Sequence, residues 1–194
     1  MLTVNNIKQI VELLKFNSDD DFYHLQIIKR KKENPEIGSN NYVVRSYCIR
    51  SKEQLLHKGN EIGNMCLDHN ARAYINLNVR SFERMAFHTL KKVADQIMNK
   101  DYASVRTAFE SVCGMYGTGG DKSWVVDVDL PQIDPAMLAF INTCDPIGDD
   151  KIIAKIQTRN GWHVITKPFN MATFATKYPE IEVHKNNPTI LMAP

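Results

Sequence analysis

Residues 123–130 read SWVVDVDL, and this stretch decides how the second half of the chain is built. Side chains along a β-strand alternate between two faces. One face of this stretch is apolar, whereas the other carries two carboxylates: Trp124, Val126, Val128 and Leu130 lie on the first, and Val125, Asp127 and Asp129 on the second. Two ionised carboxylates side by side repel each other and are not buried together without a compensating cation. The sequence therefore predicts a strand with one core face and one acidic face.

The acidic pair has two interpretations. Mg²⁺ or Mn²⁺ takes oxygen ligands, typically one or two carboxylates together with phosphate oxygens of a substrate. Two such ions about 4 Å apart serve phosphoryl and nucleotidyl transfer. An exposed sheet face with two solvated aspartates would show the same alternation, so this strand by itself leaves both interpretations open.

The composition is that of an ordinary globular protein. Of the 194 residues, 43% are hydrophobic and 24% are charged, which is enough apolar material for a buried core. This length predicts one compact domain over 1–194, with a half at 1–116 packed on a half at 117–194 that carries the acidic motif. The net charge of +2 does not indicate nucleic-acid binding, and the basic run at 27–32 is compatible with a solvated surface.

The cysteines and the apolar segments bear on the compartment. The four cysteines are widely spaced and show no zinc-ligand spacing. We find neither a signal-peptide pattern nor a run near the ~20 apolar residues that a membrane span needs. A cytoplasmic protein with reduced thiols and no membrane partner is the expectation, and the oligomeric state stays open.

Hydrophobic periodicity predicts the elements in the order α, β, β, α, β, α, α, and then β, α, β, β, α, β, β. A hairpin is predicted over 22–50, a strand over 71–81 and a second hairpin around the turn at 159–161. The clearest helix follows Ser81, and its apolar residues form one broad stripe: Phe82, Met85, Ala86, Leu90, Val93, Ala94 and Ile97. The fold class is α/β (α+β), with mixed sheets flanked by helices. The glycine-rich stretch at 117–120 is a candidate seam between the halves, either a flexible turn or a phosphate cradle.

Two later stretches extend the acidic motif. In NGWHV, at 160–164, His163 enters an apolar strand, and in PEIEVHK, at 179–185, Glu180, Glu182 and His184 share one face. If these strands neighbour the acidic strand, carboxylates and a histidine gather in one cleft. The carboxylates would then hold a metal, and His163 with a lysine or arginine would contact phosphates.

The three stretches WVVDVD, NGWHV and IEV, in this order, resemble the archaeo-eukaryotic primase superfamily, which includes primase-polymerases and the polymerase domains of bacterial end-joining ligases. The resemblance implies an RRM-like catalytic half packed on a smaller N-terminal α/β half. It also implies that Asp127 and Asp129 bind Mg²⁺ or Mn²⁺, with Glu182 as the third acid and Glu180 as its substitute. Gly161 stands where the family usually has a serine or another small polar residue.

The resemblance predicts a metal-dependent nucleotidyltransferase that acts in DNA replication and extends a nucleic-acid 3′ end. Its partners would be nucleoside triphosphates and single-stranded or primer–template nucleic acid. His163, with Arg159 or Lys167, would bind the triphosphate of the incoming nucleotide.

A third group of residues is predicted to contact the nucleic acid. Tyr74, Asn76 and Asn78 share one face of the strand predicted over 71–81, and Arg80 follows them. Such a face could stack on and hydrogen-bond to single strands, as RRM-like sheets do, although a plain exposed face would look the same. Two alternative functions stay open: a non-catalytic RRM-like domain that binds single-stranded nucleic acid, and a metal-dependent nuclease or phosphodiesterase.

Overall fold

The computed structural model describes residues 1–38, 40–117 and 122–194, and within them two antiparallel sheets are flanked by helices. The predicted α+β class is confirmed. Most of the glycine-rich seam predicted at 117–120 lies outside the described residues. The helices are α1 (Ile7–Leu13), α2 (Lys52–Asp68), α3 (Phe82–Met98), α4 (Ala108–Met115), α5 (Pro135–Thr143) and α6 (Met171–Ala175), with 3₁₀ segments at Lys31–Glu33, Pro35–Ile37 and Tyr102–Thr107.

The strands occur in the predicted order, with a short extra strand at the N-terminus and another before α3. They are β1 (Val4–Asn5), β2 (Asp21–Lys29), β3 (Tyr42–Ile49), β4 (Arg72–Ile75), β5 (Arg80–Ser81), β6 (Trp124–Val128), β7 (Ile152–Gln157), β8 (Trp162–Thr166), β9 (Glu182–His184) and β10 (Thr189–Ala193).

The first sheet has the order β1-β10-β4-β2-β3, and β5 also pairs with β2. The hairpin predicted over 22–50 is present as β2 and β3. The last strand of the chain, β10, leaves the C-terminal half and pairs between β1 and β4. Backbone hydrogen bonds therefore connect the end of the chain to the N-terminal sheet.

Helices cover much of this first sheet. On one face, Leu25 and Ile27 pack in the main core with α1 and α2, and the Tyr47 hydroxyl donates to Glu61 of α2 at 2.8 Å. On the other face, Phe22 stacks on Phe82 of α3 with ring centroids 4.2 Å apart. The part of this second face that α3 and α4 leave uncovered turns towards the second sheet.

The second sheet has the order β7-β8-β6-β9, and all its neighbours are antiparallel. Its chain order is β6, α5, β7, β8, α6, β9, which is the βαββαβ arrangement of ferredoxin-like and RRM domains. One face packs Val126, Val128 and Val164 on α5 and α6. The opposite face contributes Val125 and Ile165 to the main core, so the two sheets face each other.

The strand predicted over 71–81 is interrupted. β4 ends at Ile75, and β5 contains only Arg80 and Ser81. The cause is local, because the Asn76 side-chain oxygen accepts the backbone N–H of Asn78 at 2.9 Å. Asparagine offers the backbone this alternative to a sheet ladder, and the chain turns here.

Helix α3 begins as expected, since Ser81 Oγ accepts the backbone N–H of Arg84 at 3.1 Å. Met85 is the one α3 residue that is fully buried among the described residues. No helix in the described parts of the chain combines the length and apolarity that crossing a membrane would require.

A buried lysine caps the C-terminal end of α5. Lys151 is 3% exposed, and its Nζ donates to the carbonyl oxygens of Ile141 at 2.9 Å and Asn142 at 3.0 Å, and also to that of Cys144. Carbonyls in the last turn of a helix lack the usual intrahelical donor. Ile141 and Asn142 also accept the backbone N–H groups of Cys144 at 3.3 Å and Gly148 at 3.1 Å, so the ammonium adds a charged donor at this buried helix end.

We expect Lys151→Met to lower the free energy of unfolding by about 2–4 kcal/mol, because the three carbonyls lose a charged hydrogen-bond donor while side-chain length is kept. Urea denaturation measures the change. The control is Lys155→Met on exposed β7 surface, which should stay within about 0.5 kcal/mol of the parent. Equal effects of the two substitutions would contradict the capping role.

Buried His24 makes stability depend on pH. It is 5% exposed, and burial, with the charge of Arg80 as a second cause, lowers its pKa from 6.5 to about 4. The folded protein therefore keeps this histidine neutral down to about pH 4, whereas the unfolded chain takes up the proton near pH 6.5. Neutral His24 contributes fully to the free energy of unfolding above pH 6.5. This contribution, up to about 3 kcal/mol, is lost as the pH falls towards 4.

We expect His24→Gln to flatten the fall in unfolding free energy between pH 7 and pH 4, whatever its effect at pH 7. Denaturation curves at several pH values give this slope. His57→Gln, at an exposed position of α2, is the matched control and should keep the slope of the parent. A His24→Gln slope equal to that of the parent would refute the assignment.

Candidate active site

The acidic strand lies in the middle of the second sheet. Asp127 of β6 is directly opposite His163 of β8 on one side and Glu182 of β9 on the other. Residues directly opposite in antiparallel strands project from the same face with Cβ atoms about 5 Å apart. The three strands that the sequence motifs indicated are thus neighbours, and their polar residues form one row.

Further carboxylates adjoin this row. Asp127, Asp129, Glu180 and Glu182 line one cavity at the edge of the sheet. The Glu182 side chain is 75% exposed, and its Oε2 lies 3.2 Å from Nε2 of His184. Within the described ranges, no three His, Cys, Asp or Glu side chains form a ready-made metal cage.

His163 connects the two sheets. Its Nδ1 lies 2.9 Å from Thr189 Oγ1 on β10, and its Nε2 lies 3.5 Å from Asp127 Oδ1. Burial, assisted by the nearby His184, lowers the pKa of His163 to about 4, so the ring is neutral at pH 7. A carboxylate can only accept, so the tautomer that suits Asp127 carries its hydrogen on Nε2, and the Thr189 hydroxyl then donates to Nδ1.

Asp127 is the half-buried member of the acidic group. Burial raises the pKa of its carboxyl, and the negative charges of Asp129 and Glu182 raise it further, against the opposing influence of His184 and Arg30. Carboxylates that discourage each other's ionisation are suited to a divalent cation, which removes that penalty.

The donor set fits Mg²⁺ or Mn²⁺. Mg²⁺ keeps several waters and is usually held by one or two carboxylates together with substrate phosphates. Asp127, Asp129 and Glu182 are hard oxygen ligands of this kind, and they lie beside an open cavity that a phosphate could enter.

The opposite wall of the cleft is basic. Two adjoining cavities of about 300 and 150 Å³ lie between the sheets, and both are lined by Asp127, His163, Tyr74 and Arg30. The smaller one also contacts Lys32, Arg72 and Asp129. Acidic groups on the second sheet therefore face cationic groups from β4 and from the end of β2.

The basic wall is the part of the site that the sequence does not reveal. In the sequence, Arg30 and Lys32 belong to a run that is compatible with solvated surface, and Arg72 is one arginine among several. These cations reach the site because β10 crosses into the first sheet, which places the ends of β2 and β4 against β8. No local pattern in the sequence encodes that crossing.

The two predicted phosphate-binding cations are placed differently. Arg159, in the turn between β7 and β8, has its Nη1 3.7 Å from a carboxylate oxygen of Glu33, which also pairs with Arg72. Arg159 thus lies beside the basic wall. Lys167 follows the far end of β8 and pairs with Asp150. The described part of the chain does not bring Lys167 to the acidic row.

The predicted nucleic-acid face is mostly internal. Tyr74 lines the cleft, but Asn76, Asn78 and Arg80 are buried. Their side chains donate hydrogen bonds within the fold. Asn76 donates to the carbonyl oxygen of Asn186 at 2.7 Å, Asn78 to that of Ser123 at 3.1 Å, and Arg80 to that of Cys113 at 2.8 Å. These three side chains join the turn after β4 to the segments beside β6, β9 and α4, and they are not surface groups.

Comparison with models of known protein families, with curated proteins and with solved structures found no significant match to this chain.

A steric constraint explains why residue 161, two before His163, is a glycine. A Cβ at this position would lie 2.0 Å from the carbonyl oxygen of Val128 and 2.9 Å from the backbone nitrogen of Leu130. The turn before β8 thus passes directly against the end of β6, next to Asp129. A side chain would push these two backbones apart.

We expect Gly161→Ala and Gly161→Ser each to destabilise the protein by about 2 kcal/mol or more, because backbone atoms cannot yield as a flexible side chain can. Thermal unfolding measures the loss. Gly114→Ala in α4 is the control, since nothing lies within 4 Å of its Cβ, and it should be neutral or stabilising. A Gly161→Ser protein as stable as the parent would rule out the steric explanation.

Proposed function

We propose that this chain is a metal-dependent nucleotidyltransferase of the primase-polymerase type, which adds nucleotides to a nucleic-acid 3′ end. The observation that carries the proposal is the row His163–Asp127–Glu182 on three adjacent strands, facing Arg30, Lys32 and Arg72 across a cleft. A βαββαβ sheet with an acidic pair on its first strand agrees with the resemblance of the motifs.

The charges of the cleft suit a nucleoside triphosphate. The basic wall would bind the phosphate oxygens through Arg30 and Lys32, while the buried Arg72 guanidinium, which is held by Glu33, adds positive charge beside them. Neutral His163 would donate from Nε2 to a phosphate oxygen, while Thr189 holds its ring in place. These groups would orient the α-phosphate towards the acidic row.

In the reaction, the 3′-hydroxyl oxygen forms a bond to the α-phosphorus, the bond from the α-phosphorus to the bridging oxygen breaks, and pyrophosphate leaves while the hydroxyl proton passes to water. Asp127, Asp129 and Glu182 would hold the Mg²⁺ or Mn²⁺. The bound metal supplies charge stabilisation and a more acidic hydroxyl. Positioning and electrostatics account for most catalysis of this kind.

The alternative of a non-catalytic RRM-like binding domain is less favoured by the structure. RRM sheets present aromatic side chains on the central strands, on which bases stack. Here the corresponding face of β6 and β8 presents Asp127, Asp129 and His163 in a cleft. Carboxylates repel the phosphate backbone unless a cation lies between them. A nuclease or phosphodiesterase would use the same carboxylates, and its products separate it from a polymerase.

We expect the purified protein to extend a labelled primer on a template with Mn²⁺ or Mg²⁺ and nucleoside triphosphates. Asp127→Asn should lower the rate by at least about a hundredfold, because it removes a ligand charge. Asp150→Asn removes the same charge outside the cleft and should leave the rate unchanged. Primer shortening would instead identify a nuclease. A chain that neither extends nor shortens the primer, and binds neither Mn²⁺ nor nucleotide, would disprove the proposal.

The basic wall has its own test. Arg30→Ala should raise the KM for the nucleotide by about tenfold, since a charge-assisted hydrogen bond to phosphate contributes about 1.5–3 kcal/mol. Steady-state kinetics measure the change. Arg45→Ala on β3, whose guanidinium lies 3.9 Å from Glu61, is the control and should keep the parental KM. Equal KM values for the two variants would exclude Arg30 from nucleotide binding.

A further inference from the structure

Helix α3 exposes the apolar side of its amphipathic pattern. Phe87 is 67% exposed and Leu90 is 69% exposed, and Ile97 and Met98 also face solvent. Its inward side, by contrast, includes Gln96, whose side-chain oxygen is buried without a partner among the described residues. An apolar helix stripe usually packs on a core. Here no described part of the chain covers it.

The spacing of the exposed side chains is that of a helix-pairing seam. Ala86, Leu90, Val93 and Ile97 follow each other at intervals of four, three and four residues, which is the heptad spacing of paired helices. Val93 is half-buried, and the other three are exposed. The same spacing continues to Glu83 at the N-terminal end. Lys100 lies just beyond the C-terminal end, where its left-handed backbone (φ 58°) ends the helix, and it puts a positive charge at that end of the stripe.

We propose that a second copy of this chain covers the stripe through an antiparallel α3–α3 pair. A two-fold axis between Leu90 and Val93 sets each of these residues opposite the other in the second copy. The same axis places the small Ala86 opposite the large Ile97. We call this surface, formed by the four residues from Ala86 to Ile97, the α3 seam.

The charges at the two ends of the α3 seam favour a second copy of this chain as the partner, and they favour its antiparallel direction. In the antiparallel pair, Glu83 of each copy lies near Lys100 of the other, so both ends of the α3 seam carry opposite charges. A parallel pair would place Glu83 against Glu83 and Lys100 against Lys100, which is repulsive. The stripe is therefore complementary to itself in one orientation.

The pair is a small interface. The α3 seam is about 17 Å long at 1.5 Å per residue, so the buried area falls below the roughly 1,200 Å² of stable complexes and we expect a weak, transient pair. No α3 residue lines the cleft cavities described above. Dimerisation is thus independent of the proposed function, and each can fail without the other.

Sedimentation velocity from about 1 to about 200 µM tests the pair. The parent should shift from monomer towards dimer as concentration rises, and Leu90→Glu should remain a monomer. Leu56→Glu, the same change at an exposed position of α2, should dimerise like the parent. Circular dichroism checks that each variant is folded. A parent that stays monomeric at the highest concentration, or a Leu90→Glu variant that dimerises normally, overturns the proposal and assigns the stripe to a different occupant.

A charge exchange tests the direction. Glu83→Lys and Lys100→Glu should each weaken the dimer several-fold, because each creates two like-charge contacts in the antiparallel pair. The double variant restores opposite charges at both ends and should recover affinity to within about twofold of the parent. Double and single variants that dimerise equally weakly would refute the antiparallel pairing.

Discussion

The pairing of the last strand with the first sheet is the constraint on which the rest of the structure depends. β10 is separated from β9 by a short turn, yet it lies between β1 and β4 rather than beside β9. Because β10 is hydrogen-bonded into the first sheet and joined by that short turn to β9 of the second, it ties the two sheets together. Thr189, the first residue of β10, then contacts Nδ1 of His163 in the second sheet. The cleft, its histidine and its basic wall all require this single crossing.

The two walls of the cleft carry charges of opposite sign, and each set is unfavourable without a partner of the other sign. On the second sheet, burial raises the pKa of Asp127, and its carboxylate neighbours Asp129 and Glu182 raise it further. On the first sheet, Arg72 and Arg159 share the one carboxylate of Glu33, which leaves cationic character on that wall. A ligand that brings both phosphates and a divalent cation would satisfy both walls together. This complementarity is the physical basis of the proposed nucleotidyl transfer.

Residues of similar chemistry have opposite roles in different parts of the fold. Asn76, Asn78 and Arg80 form a polar pattern typical of a binding surface, but they are buried and hold neighbouring segments together. The α3 stripe has the pattern of a core helix, but it faces solvent. In both cases residue type and spacing are correct for the local element, and only the position of the neighbouring elements determines which side is covered.

The sequence by itself determined the α+β class, most strand and helix positions, the hairpin of β2 and β3, and the acidic face of β6. These features depend on periodicity, capping and turn chemistry, which act over a few residues. It also predicted that Asp127, His163 and Glu182 would gather in one cleft, from strand alternation on condition that the strands are neighbours, and from the resemblance in motif order. The tertiary structure decided their alignment in one row, the crossing of β10, the basic wall of Arg30, Lys32 and Arg72, and the burial of Asn76, Asn78 and Arg80. These depend on contacts between segments distant in the chain, for which local propensity carries no signal.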